Sequence, residues 1–221
     1  MYLVVFIHEF GHIFMALIFK FKINRVNIYP FGGYTIFEND INIPFITEFM
    51  VFIGGVLFQI IFFIIIRYFI DNGSYIYELI KNYNLSILLF NMLPIIPLDG
   101  SKILNIFFNK ILPFKISHLI TIYISYIAII ILFILNIKNL NMVLMMMLLL
   151  IFVIKEHRNH KFIFNTFLIE RYIKDIRFRK NNFVDNIKVN NMKKYAKNIF
   201  VYKNKYIDEK DILFNSLYNK I

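Results

Sequence analysis

The sequence predicts an all-α polytopic membrane protein, and three observations carry that prediction. Of the 221 residues, 59% are hydrophobic, and the mean hydropathy is +0.62, too apolar for an ordinary soluble domain. The apolar residues gather in blocks close to the ~20 residues that a helix needs to cross a bilayer. The net charge of +11 is uneven, with nine of those charges in residues 155–221. Beside a membrane domain, a basic tail marks a cytoplasmic face near anionic lipid, and nucleic acid is not expected as a partner. The chain thus divides into a transmembrane domain at 1–154, a basic membrane-surface helix at 155–181 and a small cytoplasmic appendix at 182–221. There is no cysteine, which excludes disulfides and thiolate metal ligands.

About five transmembrane helices are expected. The first covers 3–19, and nothing before it has the charged n-region of a cleavable signal. The stretch "VNIYPFGGYTIF" is β-branched and aromatic, with one proline and two glycines, and reads as a short hairpin or re-entrant loop dipping into the membrane. The second span covers 45–69 and contains Gly54-Gly55. A third begins near Leu85 and runs into "FNMLPIIPLDGSKIL". Two prolines three apart cannot both lie in an unbroken helix, so the span breaks at Pro94–Pro97. Backbone freed at that depth must be buried in protein or line a wet cavity. Spans four and five cover 116–136 and 141–154. With the basic tail in the cytoplasm, Lys20, Lys22, Arg25, Lys110 and Lys115 also fall inside, in agreement with the positive-inside bias.

The chemistry concentrates in "HEFGH" at 8–12. Ionisable residues inside a membrane helix are expensive and usually functional. In H-E-x-x-H the two histidines lie four apart on one helical face and can turn to one metal, while Glu9 reaches a water beside it. Zinc suits two imidazoles and a carboxylate, with a fourth position open for water. In such a site the glutamate acts as general base toward that water. Of the intramembrane carboxylates, Asp99 alone lies in a broken helix and can turn into a cavity. It is the candidate third ligand, although a Pro-Leu-Asp-Gly turn could equally place it as a helix terminator. His118 opens the fourth span, and His157 and His160 lie beyond the last one in a basic, solvated stretch.

"HEFGH", then "PFGG", then "NMLPIIPLDGSKIL" in a later span resemble the site-2 protease family of intramembrane zinc metalloproteases, and its sporulation branch most of all. The similarity runs to about residue 180 and includes "FLIERY". The resemblance implies a zinc cofactor held by His8, His12 and Asp99, with Glu9 as the catalytic base. It implies that Asn91 handles substrate near the metal and that Gly32 and Gly33 belong to a loop that receives an extended substrate. The expected activity is hydrolysis of a membrane-tethered precursor protein, such as an inactive sporulation sigma factor, at a bacterial cell membrane, with membrane-protein regulators as further partners. The alternatives are a catalytically inactive relative that binds membrane segments, and a metal transporter.

The sequence also departs from the pattern. Relatives usually carry a transmembrane helix before the H-E-x-x-H helix. The second span has "GGV" at 54–56 in place of a small-Gly-Pro motif, and its glycines still permit close helix approach. In the sporulation branch a nucleotide-sensing CBS domain follows the membrane domain, and "YKNKYIDEKDIL" is at best its remnant.

Overall fold

A computed structural model describes residues 2–20, 23–29, 32–37, 41–71, 73–185, 187–203 and 205–218, with the hairpin at 23–37 described by its backbone. Its helices are α1 (Tyr2–Ile18), α2 (Phe45–Phe69), α3 (Tyr75–Asn91), α4 (Asp99–Ile111), α5 (Phe114–Leu135), α6 (Leu140–Ile173) and α7 (Glu209–Tyr218). Its strands are β1 (Ile23–Tyr29), β2 (Gly32–Phe37), β3 (Asn181–Asp185), β4 (Lys197–Tyr202) and β5 (Lys205–Asp208). Among the described residues, α2, α5 and α6 are long and apolar enough to cross a membrane. The exposed isoleucines of these helices, such as Ile60, Ile61, Ile64, Ile127, Ile130 and Ile134, suit a lipid surround. This is a multi-pass membrane protein.

The sequence reading anticipated five spans, and the difference lies in the first and third. Helix α1 has 17 residues, roughly 25 Å at 1.5 Å per residue, just short of a standard span. The third apolar run is two helices. α3 starts ten residues earlier than expected, where the Ser74 side chain accepts from the Tyr77 backbone N–H, an ordinary N-cap. It ends at Asn91, before the prolines, and α4 starts at Asp99. The expected break is therefore present. Its backbone closes on itself through local turns, with Ile95 N–H donating to Leu93 O at 2.8 Å and Leu98 N–H to Ile95 O at 2.8 Å, as an irregular segment away from water requires. The Ile96–Pro97 peptide is cis.

The chain forms two compact units, Met1–Asn39 with Ile46–Ile103, and Asp40–Phe45 with Leu104–Ile221. In the first, the anticipated hairpin is present: β1 and β2 pair antiparallel, with Ile28 opposite Gly33 and Tyr29 opposite Gly32. Strand β2 runs beside α1. Pro30 and Phe31 of the loop, and Lys22 before it, lie outside the described residues. α1 and α2 meet at glycines: a Cβ on Gly54 would lie 2.7 Å from Gly11 O and 2.7 Å from Met15 Cγ. Only bare backbone allows that approach.

In the second unit α5 and α6 form a helical hairpin, with Asn139 capping α6 through the Met142 backbone N–H. α6 does not stop at Ile154. No Gly or Pro interrupts residues 140–173, and one 34-residue helix joins the apolar run to the basic one. The tail after it is more than a polar appendix. β3 pairs parallel with β4, and β4 antiparallel with β5. Val184, Met192, Phe200, Ile212 and Leu213 form a core with Phe164, Phe167 and Leu168 of α6. Among the described residues the regular structure is thus helical apart from the hairpin and this three-stranded lobe.

Candidate metal centre

The site is built on α1, whose i,i+4 spacing sets His8 and His12 on one buried face. Asp99 reaches it from the first turn of α4, after the broken segment. Asp99 Oδ2 lies 2.9 Å from His8 Nε2 and 2.9 Å from His12 Nε2, and the two imidazole nitrogens are 3.1 Å apart. Exposure is 1% for His8, 4% for His12 and 5% for Asp99. Among the described residues this is the one group of three or more such side chains that could hold a metal ion.

The partners on the far sides of the rings decide what the triangle is. His12 Nδ1–H donates to Val51 O at 2.8 Å, and His8 Nδ1–H donates to Gln59 Oε1 at 3.0 Å. In its neutral form each imidazole, with its hydrogen on Nδ1, turns a bare Nε2 lone pair inward. Two such lone pairs and a carboxylate oxygen, 2.9–3.1 Å apart, converge on one point as the donors of a cation site would. Two imidazoles and one carboxylate are a donor set that zinc accepts, so the residues fit the metal. The second carboxylate oxygen is also engaged: Lys102 Nζ donates to Asp99 Oδ1 at 3.1 Å and lies 5.0 Å above the Phe52 ring. Asp99 is thus both a helix-starting residue and a member of the cluster.

The remaining expected residues are placed as follows. Glu9 is buried on α1 beside His8. Asn91, the last residue of α3, points Nδ2 at His8 Nε2 from 3.3 Å. Gly32 and Gly33 are in β2, at the turn end of the hairpin. His118 takes no part in the triangle: its Nε2–H donates to Glu156 Oε1 at 3.0 Å, and His160 Nδ1–H donates to its Nδ1 at 2.9 Å.

Known proteins point the same way. Residues 1–73 match peptidase family M50. The chain is 42% identical over 127 residues to stage IV sporulation protein FB of Bacillus subtilis, covering 56% of this chain and 44% of that protein. It is 30% identical over 112 residues to a zinc metalloprotease of Methanocaldococcus jannaschii, covering 48% of this chain and 32% of that one. The fold is similar to the solved site-2 protease from Methanocaldococcus jannaschii, with a TM-score of 0.55, 25% identity, and coverage of 70% of this chain and 74% of that one. The chain is thus similar to site-2 proteases of peptidase family M50, with the family match confined to residues 1–73. It spans less than half the length of these two curated relatives.

The sequence reading missed the support that α2 gives the site. Val51, Gly55 and Gln59 recur every fourth residue, which puts them on one stripe of the helix. The first supplies a carbonyl and the third an amide. Gly55 supplies the absence of a side chain, because a Cβ there would lie 2.5 Å from His12 Nε2 and 2.8 Å from His8 Cε1. Gly55→Ala therefore must displace both rings. We expect zinc affinity to fall by about 10–100-fold, the scale of damage seen when ligand orientation is lost. Metal retained per chain after dialysis against a chelator measures it, and zinc retention equal to wild type would refute the steric argument. The sequence signal for the stripe was a lone glutamine inside "GGVLFQIIFF".

Proposed function

We propose that this chain is an intramembrane zinc metalloendopeptidase that cuts a membrane-tethered precursor protein. The observation that carries the reading is the convergence of His8 Nε2, His12 Nε2 and Asp99 Oδ2 to within about 3 Å of one another. The three residues would hold the ion, with Glu9 buried on the same helix. Zinc there would supply a Lewis acid for a water and for the scissile carbonyl. Glu9 takes a proton from the attacking water and returns it to the leaving amine. Asn91, beside His8, offers its amide to the substrate backbone.

Substrate reaches the site extended, because the peptide bonds of an intact helix are shielded. Among the described residues β1 and β2 form a two-stranded sheet, so each has an edge paired with no third strand, the kind of edge to which an extended substrate adds, and Gly32 and Gly33 sit where it turns. In this reading α1 and the α3–break–α4 segment complete five crossings with α2, α5 and α6. The domain at 1–154 is the protease, 155–181 carries the basic surface, and 182–221 is cytoplasmic in a bacterial cell membrane. The likeness to stage IV sporulation protein FB favours a sporulation sigma-factor precursor as substrate, with other membrane proteins as regulators.

The test is metal removal. Co-reconstituted in vesicles with a membrane-tethered sigma-factor precursor from the same genome, the protein should lose cleavage on chelation and regain it when zinc is returned. Cleavage that persists in metal-stripped protein overturns the reading.

A further inference from the structure

We infer that Gln59 is a positioning residue of the metal centre, the side chain that holds His8 with its Nε2 lone pair facing Asp99. The inference rests on the zinc-site reading above and deepens it. Gln59 is 0% exposed in a helix otherwise dominated by apolar residues. A buried amide is tolerated only where both its ends are hydrogen-bonded, and here both are. Nε2 donates to the Asn84 backbone carbonyl at 2.9 Å, and Oε1 faces His8 Nδ1 at 3.0 Å.

The orientation of that amide follows from chemistry and does not depend on how its two ends are drawn. A backbone carbonyl can only accept, so the end of Gln59 facing Asn84 is the nitrogen. The end facing His8 is then the oxygen, which can only accept, so His8 Nδ1 carries the hydrogen. A neutral imidazole with hydrogen on Nδ1 has a bare Nε2, which is the atom 2.9 Å from Asp99 Oδ2. One chain of hydrogen bonds thus runs from α3 through α2 to α1 and fixes which nitrogen is offered to a metal. Metal-binding histidines commonly take their orientation from such a partner.

The two histidines differ in this respect. His12 is fixed by the Val51 backbone carbonyl, which no side-chain substitution removes. His8 depends on a side chain, so its tautomer can be changed by one substitution. Without an acceptor at position 59, His8 Nδ1–H is buried and unpaired. The ring then gains by moving its hydrogen to Nε2 and donating it to Asp99, which withdraws one ligand from the site.

Gln59→Met fills nearly the same volume and removes both hydrogen-bonding ends. Gln59→Glu, in its acid form, keeps an acceptor toward His8 and a donor toward Asn84. Purified wild type, both variants and His8→Ala would be loaded with zinc, competed with a chelator, and also examined as cobalt forms for the visible absorption of the bound ion. Thermal unfolding of each metal-free protein reports the fold. We expect Gln59→Met to unfold like wild type but bind zinc about 10–100-fold more weakly, with an altered cobalt spectrum, while Gln59→Glu stays within about threefold of wild type. A Met variant that holds zinc like wild type overturns the inference. So does a folded Glu variant that loses zinc, and this outcome decides the matter if the Met variant does not fold. If wild type binds no more zinc than His8→Ala, the metal-site reading itself has failed. If wild type binds, His8→Ala does not, and Gln59→Met does, the failure is confined to Gln59.

Discussion

Glu9→Gln should abolish cleavage while leaving the metal in place. The substitution keeps the size and shape of the side chain and removes its ability to take a proton. General-base contributions are typically 10²–10⁴-fold, so turnover should fall by about two to four orders of magnitude. Zinc content should stay near wild type, because the triangle is made by His8, His12 and Asp99 and Glu9 is no corner of it. Asp99→Asn should behave differently: it removes the charge that faces both imidazoles and leaves Lys102, whose ammonium bonds Asp99 Oδ1, without its carboxylate, so metal and cleavage fall together. Product bands from a tethered precursor, read beside zinc per chain, separate the cases. A Glu9→Gln protein that binds zinc and still cuts would remove Glu9 from the general-base role.

The cluster of His8, His12 and Asp99 was legible because its signals are local. "HEFGH" places two imidazoles on one face by helical periodicity alone, and the Pro94–Pro97 pair announces the break that brings Asp99 to them. What stayed hidden depends on packing. Gln59 could be noticed as a lone amide among isoleucines and phenylalanines, but not that its two ends meet His8 and Asn84, 51 and 25 residues away. Lys102 lies three residues after Asp99 on α4, and the i,i+3 pair could have been read from helix geometry.

Boundaries failed for a different reason. Hydropathy marks where a helix becomes apolar, and a helix can extend beyond its apolar part. α3 therefore begins at Tyr75, where Ser74 caps it, and α6 continues to Ile173 through "KEHRNHKF" because nothing there stops it. The C-terminal strands are short and half polar. Their burial comes from resting on Phe164, Phe167 and Leu168 of α6, a contact that no local pattern encodes.

Arg171→Met should loosen that C-terminal lobe by about 3–5 kcal/mol, the range for removing one partner of a buried ion pair. Arg171 is 1% exposed, and its guanidinium is the lobe's anchor. Nη2 donates to Glu209 Oε2 at 3.0 Å and to Ala196 O, while Nη1 donates to Lys194 O at 3.0 Å. Glu209 also accepts from the Asn198 backbone N–H at 3.0 Å, so losing the arginine leaves a buried carboxylate with amide partners but without its bonded guanidinium. Hydrogen exchange should then speed up over β4 and α7, while α5 and the apolar part of α6 stay protected.

The neighbouring Glu170 gives the control. Its carboxylate accepts the backbone N–H groups of Ile41 and Asn42 at 2.9 and 3.1 Å, in the segment that leads from the β1–β2 hairpin to α2. Glu170→Met, which removes both acceptor oxygens, should therefore free the Ile41 and Asn42 amides to exchange and leave β4 protected, the reverse of the Arg171→Met pattern. The two residues are adjacent on one helix end; Arg171 also reaches Asn42 Oδ1 at 3.4 Å, but its shorter bonds are to the lobe, whereas those of Glu170 are to the 41–42 segment. If both variants produced the same exchange map, the lobe and the 41–42 segment would be one cooperative element, and the assignment of separate anchors to Glu170 and Arg171 would be wrong.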